Sequence, residues 1–238
     1  MLRLDKWLAE MTEGSRAEVK KWIRQGRVYV NETKVQRPET KLDPDRDQVT
    51  LDGERIIYEQ FCYYMLNKPA GVVSATTDRE HKTVIDLLQE ANTQDVFPVG
   101  RLDIDTEGLL LLTNDGVLAH ELLSPRKHVD KTYFVRIAGN LSDADVKQLE
   151  QGMDIGDEKL TLPAKVSCLE QFPEEQEQTV TIKLREGRYH QVKRMFAKVG
   201  HSVLYLQRVS MGTLTLDDSL KIGEYRELTA DEIAALKR

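Results

Sequence analysis

The sequence predicts an α+β protein in two unequal parts: a small αα–β unit over residues 1–58 and a larger α+β domain over residues 59–238. Three observations carry this. A chain of 238 residues exceeds one minimal domain. Helix-spaced and strand-like apolar runs alternate along it, with no repeat and no low-complexity tract. Around residues 55–62 the pattern changes, and the β-rich run Phe61-Cys-Tyr-Tyr-Met-Leu66 begins.

In the first unit, Leu4, Trp7, Leu8 and Met11 fall at helical spacing. Ser15 with Glu18 forms a capping box before a second helix, Arg16 to Gln25, and Gly26 stands where a helix-ending glycine belongs. Val19, Trp22 and Ile23 make the apolar stripe of that helix. Arg16, Lys20, Lys21, Arg24 and, just beyond, Arg27 fall on its other faces, a distribution that can track phosphates. Arg27 to Val30 and Val49 to Leu51 read as short strands. In the second part the expected strands are Phe61 to Leu66, Leu109 to Leu112, Thr132 to Ile137, Thr179 to Leu184 and Ser202 to Leu206. The expected helices are Thr83 to Gln89, Val117 to Leu123, Ala144 to Gln151 and Tyr189 to Val199.

Composition bounds the function. The chain is 40% hydrophobic and 31% charged, as soluble globular proteins are. With 34 Lys+Arg against 40 Asp+Glu the net charge is −6, which excludes a uniformly basic nucleic-acid coat protein. Two stretches break the acidic balance: residues 1–41 carry a net +4 and residues 183–208 a net +6. Local basic islands on an acidic chain suit a polyanion met at particular places. Cys62 and Cys168 form no CxxC motif, which excludes a disulfide framework or zinc ribbon and fits a reducing cytoplasm. The N-terminus lacks the apolar core of a signal peptide, and no apolar run approaches the ~20 residues of a membrane span.

The most distinctive segment is Val99-Gly-Arg-Leu-Asp-Ile-Asp-Thr-Glu-Gly-Leu-Leu-Leu-Leu-Thr113. Its Asp103-Ile-Asp105 start imitates a calcium loop, but the twelfth position is Asn114, which offers no bidentate carboxylate. Asp43-Pro-Asp45-Arg-Asp47 lacks the loop glycine and reads as a turn. Asp103, at the lip of a buried strand and two positions from Arg101, has two open readings: a local salt bridge, or a nucleophile that attacks carbon without a cofactor. A second cluster, Lys183 to Phe196, ends a strand at Glu186-Gly187 and opens a basic helix near Tyr189. Lys193 and Arg194 lie in the first turns of that helix. His190 reads as a structural or RNA-contacting residue, since no Ser or Cys stands in a triad context. Tyr133, opening a strand after Lys131-Thr132, is either a strand former or a ring that stacks on a base. No metal-ligand spacing and no nucleotide-binding glycine motif is present, so no metal and no cofactor is expected.

Gly100-Arg-Leu-Asp103, with Thr106 and Gly108-Leu-Leu-Leu-Leu-Thr113, resembles the catalytic motif of pseudouridine synthases. Asn67-Lys-Pro-Ala-Gly71, Lys131-Thr-Tyr133 and Glu186-Gly-Arg-Tyr-His-Gln-Val-Lys-Arg-Met195 occur in the order and spacing of the same family. Residues 1–50 are similar to the S4 RNA-binding domain, marked by Arg3-Leu-Asp-Lys6, Ser15-Arg16 and Gly26-Arg-Val-Tyr-Val-Asn31. The resemblance implies a mixed, mainly antiparallel sheet flanked by helices in the larger domain. It implies isomerisation of one uridine to pseudouridine, with the branch acting on 16S ribosomal RNA nearest and branches acting on 23S RNA or tRNA as alternatives. A non-catalytic RNA-binding assembly factor is the reading from a different class.

By the same resemblance Asp103 is the nucleophile, Tyr133 stacks on the base, Lys193 pairs with the aspartate and Leu206 floors the base pocket. RNA contacts are expected from Arg101, Arg188, His190, Gln191, Arg194 and Arg208, and in the first unit from Arg3, Lys6, Arg16, Lys20, Lys21, Arg24 and Arg27. The expected partner is ribosomal RNA, naked or in a partly assembled small subunit. The expected protein is a cytoplasmic monomer that avoids membranes.

Overall fold

A computed structural model describes every residue except Glu13, Asp45, Glu59, Gln60, Glu90, Asn92, Gln94, Pro125 and Arg126. The chain divides into two compact units, Met1–Phe61 and Cys62–Arg238. The boundary expected between residues 58 and 59 adjoins Glu59 and Gln60, outside the described residues, as is Asp45 of the expected turn.

The first unit runs β1 (Leu2–Arg3), α1 (Leu4–Met11), α2 (Arg16–Arg24), β2 (Val28–Val30), β3 (Thr33–Lys34), β4 (Lys41–Leu42), β5 (Val49–Leu51) and β6 (Glu54–Ile56). Ser15 Oγ accepts from the Glu18 N–H and Glu18 returns a carboxylate oxygen to the Ser15 N–H, so both halves of the capping box are made. Gly26, at φ 71, turns the chain out of α2. The strands order β3-β2-β5-β6, and β1 pairs with β4. Leu4, Trp7, Leu8, Val19, Ile23, Val28, Leu42 and Val49 form the core. The helical spacing in the sequence dictates the first five of these.

The second unit runs β7 (Tyr63–Lys68), β8 (Phe97–Pro98), β9 (Glu107–Thr113), α3 (Gly116–Leu123), β10 (Lys131–Ala138), α4 (Asp143–Gln151), β11 (Lys165–Phe172), β12 (Glu177–Leu184), α5 (Gln191–Lys198), β13 (Val203–Met211), β14 (Leu214–Thr215), β15 (Tyr225–Glu227) and α6 (Ala230–Leu236). Its strands form one mixed sheet in the order β11-β12-β10-β13-β9-β7-β15, with β14 on β13 and β8 on β9. Among the described residues every named pair in this sheet is antiparallel except β13 with β9.

The leucine run of β9 is buried on both faces, which explains why it reads as continuous rather than alternating. Leu110 and Leu112 join the core that holds Val135, Leu149 of α4 and Phe196 of α5. Leu109 and Leu111 join the core under α3 and α6, with Leu118, Leu122 and Leu236.

Two expectations are corrected. The helix at Thr83 to Gln89 is only a 3₁₀ turn, Ile85–Leu87: Asp86 accepts from the Thr83 N–H and hydroxyl, and Val73 bridges Thr83, so the segment is pinned by local bonds. The helix expected from Tyr189 starts at Gln191, because His190 is left-handed at φ 48. Strand β11 and helix α6 carry weak sequence signals: β11 is largely exposed and polar, and α6 is one short, Ala-rich stretch. No helix among the described residues is long and apolar enough to cross a membrane.

Candidate active site

The parallel step between β13 and β9 sets the geometry. It pairs Gln207 with Glu107 and Arg208 with Gly108. Gly108 has φ 98, and a Cβ there would stand 2.3 Å from the Arg208 carbonyl oxygen, so only glycine lets the strands approach. The loop 100–106 enters β9 at this step and carries Arg101, Asp103 and Asp105.

Two side chains hold that loop. Ser74 Oγ donates to the Leu102 carbonyl at 2.9 Å and accepts from the Leu102 N–H at 3.0 Å. Lys68, fully buried at the end of β7, donates to the carbonyls of Pro69 (3.0 Å), Asp103 (3.1 Å), Ile104 (3.4 Å) and Thr106 (2.9 Å). Burial pushes the Lys68 ammonium down to about 8, opposed by the charges of Asp105, Glu107 and Asp103. The sequence places Lys68 in the Asn67-Lys-Pro-Ala-Gly71 motif without giving it a role; a lysine at the end of an otherwise apolar strand is the signal that points to one.

The Asp103 carboxylate faces α5. Its Oδ2 is 3.3 Å from Lys193 Nζ and its Oδ1 is 3.6 Å from His190 Nε2. Lys193 makes a closer bond, 2.5 Å, to Asp105 Oδ1. That bond, with the attached charge, holds the Asp105 carboxyl below the usual carboxylate range. Lys193 is thus shared between two carboxylates, and Asp105 is a site residue that sequence reasoning missed.

Asp103 and His190 open onto a cavity of about 630 Å³, lined also by Arg101, Tyr133 and Leu206. Tyr133 and Leu206 are buried on β10 and β13, whose register pairs Val135 with Leu206 and Tyr133 with Arg208. Arg101 is exposed at the cavity. A carboxylate flanked by two basic groups in a concave site, with a phenol ring and an aliphatic wall, suits covalent attack on a flat, uncharged ring.

Four of the residues expected to contact RNA have hydrogen-bond partners within the protein. Arg188 spends its donors on Glu186, Asp157 and the carbonyls of Lys159 and Leu160. Arg194 bonds the carbonyls of Ile155 and Tyr189 and the Asp157 carboxylate. Gln191 is buried between the Arg188 N–H and Glu186. Together they strap the 155–160 loop to α5. Arg208 is buried at 2% exposure in the cavity wall, with Nε donating to the Leu109 carbonyl at 2.8 Å.

In the first unit Arg16, Lys21 and Arg24 are exposed and Lys20 is half-buried. Arg3, Lys6 and Arg27 have carboxylate partners in Asp5, Glu10 and Asp52. Among the described residues no group of three or more His, Cys, Asp or Glu side chains is arranged to hold a metal ion.

The family model described as RNA pseudouridylate synthase matches residues 62–198, and the S4 domain model matches residues 2–49. An RNA pseudouridine synthase of Bacillus subtilis that is itself uncharacterized is 46% identical over 99% of this chain and 98% of its own. The ribosomal small subunit pseudouridine synthase A of Escherichia coli strain K12 is 43% identical over 99% of this chain and 100% of its own. A crystal structure of a pseudouridylate synthase superposes with a TM-score of 0.67 at 36% identity, covering 99% of this chain and 100% of that one. With both its S4 segment and its catalytic segment matched, the chain belongs to the RNA pseudouridylate synthase family.

Proposed function

We propose that this protein converts one uridine of 16S ribosomal RNA to pseudouridine, with Asp103 as the nucleophile. The observation that carries the reading is the Asp103 carboxylate, aimed into the cavity with Lys193 at 3.3 Å and His190 at 3.6 Å. The small-subunit target is carried over from the Escherichia coli relative, which aligns over its whole length.

The uridine leaves its stack to reach the cavity, at a cost of ~ a few kcal/mol that contacts in the site offset. Tyr133 stacks on the base and Leu206 floors it. Asp103 attacks carbon; attack at C6 of the ring and attack at C1′ of the ribose lead to the same product. The bond between N1 and C1′ breaks, the base turns, and C5 bonds to C1′. The C5 proton goes to solvent, N1 gains a proton, and Asp103 is released unchanged. The reaction is an isomerisation, so its balance calls for no oxidant, metal or cofactor. Lys193 balances the charge of the Asp103 carboxylate before attack, while Arg101 supports the RNA strand around the vacated position. The basic face of α2 supplies sequence-independent affinity. The enzyme works as a cytoplasmic monomer on ribosomal RNA, free or within a partly assembled small subunit.

Pseudouridine mapping of ribosomal RNA from cells with and without the gene tests this. One site is expected to vanish from small-subunit RNA. A site lost instead from large-subunit RNA or tRNA keeps the chemistry and reassigns the substrate. Purified Asp103→Asn is expected to lose at least about 10³-fold in turnover while its RNA affinity stays within about threefold. An active Asp103→Asn enzyme removes Asp103 from the mechanism.

A further inference from the structure

Tyr189 is the most exposed aromatic side chain among the described residues, at 76%, and it lines the catalytic cavity. An exposed tyrosine ordinarily samples several rotamers. In the structure this ring has a stacking partner. It stacks on the His190 imidazole, with ring centroids 3.8 Å apart and planes 17° apart. Successive residues of a helix or strand do not face each other in this way, and the left-handed backbone of His190 brings the two rings together.

The flanking backbone is fixed as well. Arg188 is strapped to the 157–160 loop, and Arg194 Nη1 donates to the Tyr189 carbonyl at 3.0 Å. From solvent inwards the order is Tyr189, His190, Asp103. Neither the proposed chemistry nor the packing of the core uses the Tyr189 ring, and one of its faces is open to solvent.

We infer that Tyr189 is a stacking platform for a second nucleobase, a neighbour of the reacting uridine in the RNA strand. Drawing a uridine out of its stack leaves each neighbouring base with an uncovered face. A preordered aromatic ring at the cavity offers such a face a partner and loses little freedom in doing so. Because every base has a flat face, the platform favours an unstacked neighbour over a paired helix rather than one base over another. It thereby selects RNA that is already open at the target.

The inference rests on the proposed isomerase reading, and the test separates the two. Turnover is followed as tritium release from C5-labelled uridine in the small-subunit RNA. Tyr189→Ala is expected to raise KM about tenfold with kcat within about twofold, and Tyr189→Phe to restore the wild-type KM. A substrate ligated from a synthetic oligonucleotide with an abasic ribose beside the target uridine is expected to cost the wild type the same factor. It is expected to cost Tyr189→Ala nothing further.

Three results overturn the platform: an unchanged KM in Tyr189→Ala, a fall in kcat alone, which would place the ring behind His190 and Asp103, or additive losses from the variant and the abasic substrate. Melting temperatures of the variants check that the surface change leaves the fold intact. A wild-type chain inactive on every RNA tried sinks the isomerase reading and the platform together. An active wild type with an unmoved Tyr189→Ala sinks the platform alone.

Discussion

Lys68 ties the loop that carries Asp103 to the end of β7. An ammonium group has three N–H donors, and here four carbonyls converge on it, three of them from residues 103–106. Replacing it by methionine fills much of the volume but removes the shared donor: the Asp103 and Ile104 carbonyls keep the Thr106 and Gly71 N–H groups, while those of Pro69 and Thr106 lose the ammonium, at a cost of about 1–3 kcal/mol. The lysine also titrates in an accessible range. Its folded value is about 8 against 10.5 for an unperturbed lysine. Between those two pH values the unfolded chain keeps a proton that the folded chain has released. Stability from this group therefore rises with pH across that window, where the unfolded state binds more protons. The difference in unfolding free energy between wild type and Lys68→Met is expected to grow by about 1–3 kcal/mol from pH 8 to pH 10. Urea titrations at matched pH values read it, and a difference that stays flat shows that Lys68 keeps an ordinary proton affinity in the fold. Activity is expected to move the other way, because a neutral amine has one donor fewer to hold the Asp103 loop.

Elements differ in how openly the sequence announces them, and the reasons are physical. Strand β9, helix α1 and the capped helix α2 are legible because apolar periodicity and capping chemistry are local signals. Strand β11 is not, because its pairing with β12 is made by backbone groups while its side chains face solvent. The site follows the same division. Asp103, Tyr133 and Lys193 lie in the ordered motifs, Leu206 follows from the resemblance alone, and the structure brings the four to one region. The strap formed by Arg188, Gln191 and Arg194 is not readable, since a basic side chain near a helix start looks the same whether it faces phosphate or a neighbouring loop. Asp105 and Lys68 act through contacts that only the fold creates. Gly108 shows how strictly the elements must meet. Its φ of 98 and the 2.3 Å approach to the Arg208 carbonyl leave no room for a methyl group. Gly108→Ala is expected to lose about 3 kcal/mol or more, as combined backbone strain and overpacking at a strand junction. Chemical denaturation measures this, and a loss below about 1 kcal/mol would show that β9 and β13 can separate without harm.

At the scale of the whole molecule, charge is what joins binding to chemistry. The chain is acidic overall at −6, so it does not coat nucleic acid indiscriminately. Its positive charge is concentrated in residues 1–41 and 183–208. In the first unit Arg16, Lys20, Lys21 and Arg24 have no ion-pair partner among the described residues, whereas Arg3, Lys6 and Arg27 are paired with carboxylates of their own unit. An unpaired surface cation releases a counterion when it meets a phosphate; a paired one must first give up its partner. Affinity for small-subunit RNA is therefore expected to fall steeply with salt, and the four unpaired side chains of α2 are expected to set much of the slope. Changing all four to glutamine should flatten the plot of log affinity against log salt by roughly 3, at roughly 0.7 for each single-strand phosphate contact. Changing Arg3, Lys6 and Arg27 should alter it by less. Filter binding over a range of potassium concentrations decides between these. If both sets flatten the slope equally, the internal ion pairs dissolve on RNA and the whole basic surface of the unit engages. If neither does, the S4 unit binds by shape and backbone contacts, and the electrostatic anchor lies in the catalytic unit.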